Sequence, residues 1–401
     1  MKLNILCLEP FYGGSHKTFI DGLIEHSAHE YTLHTLPSRF WKWRMRGAAL
    51  HFYNEVKDPQ NYDLLLTCGL LSVSDIKALW GVRCPPTVVY MHETQLSYPL
   101  NIGEKLDFHY GFTDITTGLT ADKIIFNSRF HRNDFLSALP GFIKRLPDGK
   151  PDWAVEVIRQ KAMVLYPGCS LNSPNGVEKP ARDNVGKSAV SSQKSPLGEG
   201  LVQSRGVKPL IIWNHRWEHD KDPASFFNAL YELDKQGLAF ELAILGENFK
   251  KVPEEFGEAK LYFAERVVQY GWCDSRAEYQ AWLEKGDIVV STARQENFGI
   301  SIVEAVAAGC FPLLPNRLSY PELLPEKFHD PCLYKEGGLV KKLGAVIEKI
   351  NRGEYTEIEA ACGELRQHYG KFSWERSARL YDKAFEEIYM AGMTGAGVLS
   401  I

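Results

Sequence analysis

Residues 287–314 read DIVVSTARQENFGISIVEAVAAGCFPLL. An apolar strand, Asp287–Ser291, runs into a polar loop. A helix with helical apolar spacing follows over Gly299–Ala308, and a second apolar strand, Cys310–Leu314, closes the unit. Short, continuously apolar strands joined through one helix are the repeat of a parallel sheet buried on both faces. The pattern extends outward. Upstream stand a strand at Leu210–Trp213, a helix opened by Asp222 at the N-cap with Pro223 at its first position, a strand at Ala239–Leu245 and a helix at Asp274–Leu283. Downstream, helical patterns lie near 336–350 and 373–391.

The first half repeats the rhythm. Leu3–Leu8, Tyr31–Leu36, Tyr62–Thr67, Thr87–Met91, Lys123–Asn127 and Ala162–Tyr166 read as buried strands. The amphipathic stretch Lys17–His26 reads as a helix with Phe19, Ile20, Leu23 and Ile24 on one face. Between the halves, a tract rich in Ser, Gly, Pro and Lys has no sustained apolar period and reads as a linker. The expected organisation is an N-terminal α/β domain over 1–170, a flexible linker over 171–208, a second α/β domain over 209–375 and a C-terminal helix over 376–401. That helix has a route back to the first domain. A cleft separates the two α/β units.

Composition narrows the functional classes. The 401 residues are 44% hydrophobic and 24% charged, a balance that excludes a largely disordered chain. No apolar run approaches the roughly 18 residues of a membrane span. The first apolar run stops at Glu9-Pro10, too early for a secretion signal, so a cytoplasmic location is expected. Eight cysteines with no C-x-x-C pair indicate neither a disulfide framework nor a zinc ribbon. Net charge is −4; residues 1–170 hold 18 Lys/Arg against 17 Asp/Glu, and the remainder 28 against 33. An anionic partner would therefore meet the N-terminal half.

Chemistry concentrates in a few loops. In Ser291–Glu304, Glu296 precedes a helix whose N-terminus offers free N–H groups to a phosphate, and Gly299 allows close approach. Glu296 and Glu304, eight residues apart, can reach different hydroxyls of one elongated ligand, although a solvated helical Glu fits the same spacing. After the strand Leu210–Trp213, Arg216 and Lys221 stand just before a capped helix, where two cations suit a diphosphate. The same loop spells H-x-x-E-H through His215, Glu218 and His219, a zinc-peptidase pattern that requires a helix. Here a strand precedes it and Asp222-Pro223 follows. Asp220-Lys-Asp222 resembles a metal clamp, but one Asp serves as a cap, so no metal is expected. Gly13 and Gly14 after the first strand allow backbone to approach a phosphate or sugar, with Ser15 as the expected cap, and an ordinary tight turn is equally consistent. His92 and Glu93 end the strand Thr87–Met91, as turn residues or as groups beside a reacting sugar. Finally, Arg39-Phe-Trp-Lys-Trp-Arg-Met-Arg46 interleaves four cations with three aromatics, which suits phosphates and unstacked bases; a basic surface helix with buried aromatics is the plainer alternative.

Together, Glu296-x7-Glu304, the upstream Arg216 and Lys221 and the Gly-Gly loop resemble the GT-B glycosyltransferases of family 4. The segments EPFYGGSHK (9–17), LPSRFWKWRMRGAAL (36–50), YMHETQLSYP (90–99), DFHYGF (107–112), FNSRFH (126–131), WNHRWEHDKDP (213–223) and ENFGISIVEAVAAGC (296–310) are similar to one branch, the tRNA-queuosine α-mannosyltransferases. The resemblance spans nearly the whole chain outside the linker. It implies an α/β, GT-B fold of two Rossmann-like domains and retaining transfer of mannose from GDP-mannose to the cyclopentenediol of queuosine in the anticodon loop of an aspartate-type tRNA.

In family terms Arg216 and Lys221 hold the donor diphosphate in place of a metal, so no cofactor is expected. Glu296 contacts the mannose, with Asn297, Phe298, Gly299 and Ile300 around the donor, and Glu304 meets the ribose. Gly13 and Gly14 face the phosphates, and His92 sits beside the reacting sugar. Arg39, Trp41, Lys42, Trp43, Arg44, Arg46 and Glu93 become the expected tRNA side. No membrane and no obligate protein partner are implied. The same donor chemistry on a glycan or small acceptor, a zinc peptidase, and a silent nucleotide-sugar-binding module are the competing readings.

Overall fold

The computed structural model describes residues 1–97, 107–171, 208–246 and 252–393. The expected linker lies outside the described residues except at its ends.

Two parallel six-stranded sheets form the frame. The first contains β1 (Asn4–Tyr12), β2 (Glu30–Pro37), β3 (Leu64–Cys68), β4 (Thr87–Met91), β5 (Lys123–Phe126) and β6 (Ala162–Val164), in the order β2-β1-β3-β4-β5-β6. The second contains β7 (Leu210–Asn214), β8 (Glu241–Leu245), β9 (Val267–Gly271), β10 (Ile288–Val290), β11 (Phe311–Pro315) and β12 (Leu333–Tyr334), in the order β12-β11-β10-β7-β8-β9. Helices cover both faces of each sheet. That is why Leu64–Cys68, Thr87–Met91 and Leu210–Asn214 are buried at every position instead of alternating. Strand order reverses beside β1 in one sheet and between β7 and β10 in the other. Crevices at the carboxyl ends of such strands are where open α/β sheets bind ligands. The loops singled out in the sequence leave β1, β7 and β10.

Three local expectations need correction. The first helix starts at Gly14, not Lys17, with Gly13 at its N-cap and no side-chain hydrogen bond there, so Ser15 does not cap it. A helix over Thr356–Tyr369, absent from the sequence reading, lies between the two terminal helices Leu339–Asn351 and Trp374–Met393. The short strands β9 and β12 also went unread.

The chain crosses between domains twice, and the crossings run together: the Cys169 N–H donates to the Phe372 carbonyl over 2.7 Å. Beyond that point the helix Trp374–Met393 leaves the second sheet and packs on the first, its Trp374, Ala378, Tyr381, Phe385 and Ile388 sharing a core with Ile5, Phe19, Leu23 and Tyr90. Trp374 fits because two glycines make room. A Cβ on either Gly22 or Gly168 would lie 2.2 Å from its indole. The gap is bridged elsewhere as well. Glu322 accepts from the N–H groups of Arg129 (2.9 Å) and Phe130 (2.7 Å), so a carboxylate of the second domain caps the helix Arg129–Lys144 of the first.

Trp374→Ala is expected to cost about 3–5 kcal/mol through the cavity it leaves. Gly22→Ala is expected to cost about 1–3 kcal/mol through overpacking. In urea unfolding, both losses should fall on the transition of the N-terminal domain; a loss confined to the second domain would contradict the docking described.

Candidate functional site

In the second domain, the loops after β7 and β10 form one body. Asp222 takes a left-handed backbone (φ 52°) and caps the helix Pro223–Lys235, as the sequence predicts, accepting from Ser225. Its Oδ2, which accepts from Ser225 Oγ, also accepts from Arg294 Nε over 3.0 Å. The Arg294 N–H donates to the Asp220 carbonyl (2.7 Å), and Thr292 Oγ1 lies within hydrogen-bond distance of the carbonyls of Lys221 (2.8 Å) and Asp222 (2.9 Å). Lys221 is buried between the loops. Its Nζ donates to the Gln295 carbonyl (2.7 Å) and lies 3.3 Å from both Glu296 Oε2 and Asp220 Oδ2. Ser319 Oγ supports the far side of the acidic loop by donating to the Phe298 carbonyl over 2.9 Å. Gly299 caps the helix Ile300–Ala307 at φ 99°, a backbone that disfavours any Cβ.

Arg216 and Lys221, paired in the sequence reading, differ in their surroundings. The Arg216 guanidinium is half-exposed and pairs with Glu218 at 3.0 Å, with Asp220 Oδ2 at 3.9 Å. Glu304 is buried and ion-paired with Arg276 from the adjacent helix; burial raises its carboxyl, an effect that Arg276 and a Tyr279 hydrogen bond oppose. The Phe298 side chain is core, packed on Tyr166 and Phe372, which leaves only its main chain for a ligand.

The first domain contributes a histidine stack. His92 is half-buried just past the end of β4, and its ring lies 3.8 Å from that of His16, nearly parallel. The carbonyl of His92 joins the domains by accepting from Asn127 (3.2 Å) and, across the gap, from Asn297 (3.0 Å). His92 Nε2 is buried without a hydrogen-bond partner. Beside it is a small cavity lined by His16, Gly69, Leu70, Glu93, Gln95 and Asp114. Burial drives the His92 imidazole well below its ordinary pKa, with His16 and His131 adding to the effect. Burial would lower His16 too, but the charge and hydrogen bond of Glu9 (3.2 Å), helped by Glu93, leave it raised overall. His92 is therefore the neutral ring of the pair and His16 the readier cation. Gly14 is left-handed (φ 52°), and a Cβ on Gly13 would lie 2.2 Å from Ser38 Oγ, so the Gly-Gly turn is pressed against the chain that leads into the next helix.

Two metal readings can be compared with this geometry. His215, Glu218 and His219 occupy a strand end and a single 3-10 turn, and among the described residues they form no convergent group. Glu9, His16 and Cys68 do converge. However, Glu9 Oε1 already accepts from Phe11 N–H, His16 and Cys68 Sγ, and burial followed by Glu9 raises the Cys68 thiol well above its ordinary value. The set is a hydrogen-bonded carboxylate.

The basic-aromatic segment divides along the helix Trp41–Glu55. Trp41 is half-buried against Tyr110, and Arg44 turns back to the Pro37 carbonyl (3.2 Å). Arg39, Lys42, Trp43 and Arg46 are exposed, with Lys42 and Arg46 each 5.8 Å from the Tyr110 ring centroid. Sequence reasoning missed His16, Asn127, Arg276 and Tyr279. His16 and Asn127 sit inside EPFYGGSHK and FNSRFH, but nothing in a linear pattern announces a ring stack or a bond to a carbonyl.

Comparison with known proteins bears on this arrangement. Residues 4–169 match the family model described as tRNA-queuosine alpha-mannosyltransferase N-terminal, and residues 202–369 match glycosyl transferases group 1. The chain is 36% identical over 334 residues to the tRNA-queuosine alpha-mannosyltransferase of Drosophila melanogaster, covering 81% of this chain and 83% of that one. It is 24% identical over 230 residues to the GDP-mannose:cellobiosyl-diphosphopolyprenol alpha-mannosyltransferase of Xanthomonas oryzae pv. oryzae, covering 55% of this chain and 57% of that one. Among solved structures, Anabaena Alr3699/HepE in complex with UDP superimposes with a TM-score of 0.64 at 14% identity, covering 96% of this chain and 100% of that one. The sucrose-phosphate synthase of Thermosynechococcus elongatus gives 0.64 at 12%, covering 97% and 100%. These two show the fold.

A His16 proton held above the ordinary pKa of 6.5 stabilises the fold fully below that value, and the contribution is lost as pH rises through the raised folded-state value. The difference in thermal unfolding temperature between wild type and Glu9→Gln should therefore be largest near pH 6 and shrink toward pH 9. A difference that widens with pH would mean that His16 is neutral in the native protein.

Proposed function

This chain belongs to the tRNA-queuosine α-mannosyltransferase family and is a glycosyltransferase of the GT-B fold, and from that premise we propose that it transfers mannose from GDP-mannose to a cyclopentenediol hydroxyl of queuosine in the anticodon loop of an aspartate-type tRNA. The observation that carries this reading is the meeting of Lys221 with Glu296 (3.3 Å) one residue from Asn297, which reaches the His92 carbonyl of the other domain. On this reading a cation, a sugar-binding carboxylate and a neutral imidazole face one interdomain gap.

The donor diphosphate is expected against Lys221, Arg216 and the N-terminus of the helix Ile300–Ala307, with the Gly13-Gly14 backbone opposite. These groups supply the positive charge that a metal would otherwise bring, so the reaction is read as metal-independent. Glu296 orients the mannose. Glu304 is expected to meet the ribose, sharing its carboxylate between Arg276 and a ribose hydroxyl. In the transfer, the anomeric carbon–phosphate oxygen bond breaks with its electron pair leaving on GDP. The queuosine hydroxyl oxygen bonds to the anomeric carbon from the same face, and its proton passes to a departing phosphate oxygen. Configuration is retained without a protein nucleophile. His92, held neutral and lining the cavity, is read as offering a ring nitrogen to the sugar or acceptor hydroxyl. The acceptor is cytoplasmic in this reading.

Radiolabelled GDP-mannose incubated with queuosine-containing tRNA should label it, and tRNA lacking the modified base should stay unlabelled. Label on a glycan with none on either tRNA would move the enzyme to another acceptor. Lys221→Ala should lower kcat by about 10²–10³, as removal of one preorganised charge donor does. Wild-type kcat/KM in a folded variant would remove Lys221 from the mechanism. Glu296→Gln should damage transfer more than GDP binding, and equal losses would make Glu296 structural.

A further inference from the structure

We propose that Phe40, with Trp43 one helical turn later, is a stacking platform for an unpaired base of the anticodon loop next to the reacting nucleotide, while Arg39, Lys42 and Arg46 take the flanking phosphates. The inference rests on the tRNA reading above and adds to it a residue and a mode of RNA recognition.

Phe40 is the N-cap of the helix Trp41–Glu55. Its carbonyl accepts from the N–H groups of Trp43 (2.8 Å) and Arg44 (3.0 Å). Its backbone is left-handed at φ 56°, ψ 49°, a conformation that suits glycine or asparagine and is an outlier for a bulky side chain. No packing reward explains the choice of residue, because the ring is 71% exposed. Trp43 is 65% exposed, with its indole about 3.1 Å from where a Cβ on Gly47 would stand, so it lies flat along the bare spot on its own helix. The opposite face of the helix is an ordinary core face, with Met45, Ala48, Ala49 and Phe52 buried. Two large rings are thus held outward by a helix that had apolar space to spend elsewhere.

Charge and position identify the partner. The Arg39 guanidinium lies 5.8 Å from the Phe40 ring centroid, and among the described residues neither Arg39 nor Arg46 makes an ion pair. Aromatic faces interleaved with cations recognise single-stranded nucleic acid, where every base offers a π-face and every nucleotide a phosphate. A membrane surface could also use exposed rings beside cations; the family's tRNA substrate favours the nucleic acid. The platform follows closely in the chain on a residue packed against the Gly-Gly turn. Ser38, two residues before Phe40, fills the space beside Gly13 at the end of β1, where the donor phosphates are proposed to lie. We place the chain neighbours of a nucleotide inserted in the cleft on this platform because Phe40 follows Ser38 by two residues. This explains how a protein of net charge −4 holds RNA without a basic domain.

The test compares Phe40→Asn, which keeps a residue tolerant of the left-handed backbone, with Phe40→Tyr, which keeps the ring. Transfer from GDP-mannose is measured with queuosine-containing tRNA and with the free queuosine nucleoside, alongside GDP binding and thermal unfolding. Phe40→Asn is expected to lower kcat/KM on the tRNA about 10-fold or more through KM, in line with loss of one base stack. It should leave GDP affinity, nucleoside transfer and the unfolding temperature at wild-type values or above. Phe40→Tyr should restore the tRNA value, and adding Trp43→Ala to Phe40→Asn should deepen the loss. Wild-type kcat/KM on the tRNA in both Phe40→Asn and the double variant overturns the proposal, as does an equal loss on tRNA and nucleoside. If the wild-type enzyme itself labels neither substrate, the functional reading above fails, a result distinct from any difference between variants.

Discussion

The site depends on one buried cation. An ammonium taken out of water has to recover its lost hydration from fixed acceptors. Lys221 does so with the Gln295 carbonyl, Glu296 and Asp220, drawn from two loops that leave different strands. Its solvation therefore requires those loops to touch, which the strand order makes possible by placing β7 beside β10. Two carboxylates around one ammonium leave a local excess of negative charge, a poor resting state for an anionic ligand. On the proposed reading a diphosphate entering here would be met by further positive groups: the half-exposed Arg216, which pairs with Glu218, and the N–H groups of a helix start. Exchanging a surface ion pair for a charge-assisted bond to phosphate costs Arg216 little, because an exposed pair of that kind is worth roughly 0–1 kcal/mol.

This division of labour explains what could and could not be read from the chain. Strands buried on both faces are runs of Val, Ile and Leu, so most of the twelve were legible and Thr87–Met91 matched residue for residue. Strands β9 and β12 were not, because Val267–Gly271 is mostly half-buried and Leu333–Tyr334 is two residues long. The helix Thr356–Tyr369 escaped because it buries little beyond Leu365 and Tyr369, which blurs its apolar period. In the site, Lys221, Glu296 and Gly299 were legible since helix starts after strands are written in local sequence. The His16–His92 stack and the Asn297–His92 bond join residues 76 and 205 positions apart, so only the folded chain makes them neighbours.

Glu304 shows a subtler limit. Spacing alone grouped it with Glu296, yet the two carboxylates live in different electrostatic worlds. Glu296 keeps some contact with solvent beside Lys221; Glu304 is buried, with Arg276 as its counter-ion and Tyr279 as a hydrogen-bond donor. A carboxylate in that position is oriented before any ligand arrives, and its free lone pairs suit a neutral hydroxyl better than a second charge. Ribose is such a group and a phosphate is not. On the proposed reading the two carboxylates would therefore serve opposite sides of the diphosphate, Glu296 the transferred sugar and Glu304 the ribose.

Locality also resolves the mismatch between an acidic protein and an anionic partner. Charges on an exposed surface are screened beyond about 8 Å at physiological salt, so the −4 carried by the whole chain is not what a nucleic acid in contact with one face experiences. On the proposed reading it meets the stretch from Arg39 to Arg46, where aromatic rings would carry part of the binding that extra cations supply in a basic protein. Stacking is insensitive to salt and phosphate contact is not. A surface that mixes them gives up long-range attraction and gains a preference for bases already out of the helix, and a loop nucleotide whose side group must enter a cleft is such a base.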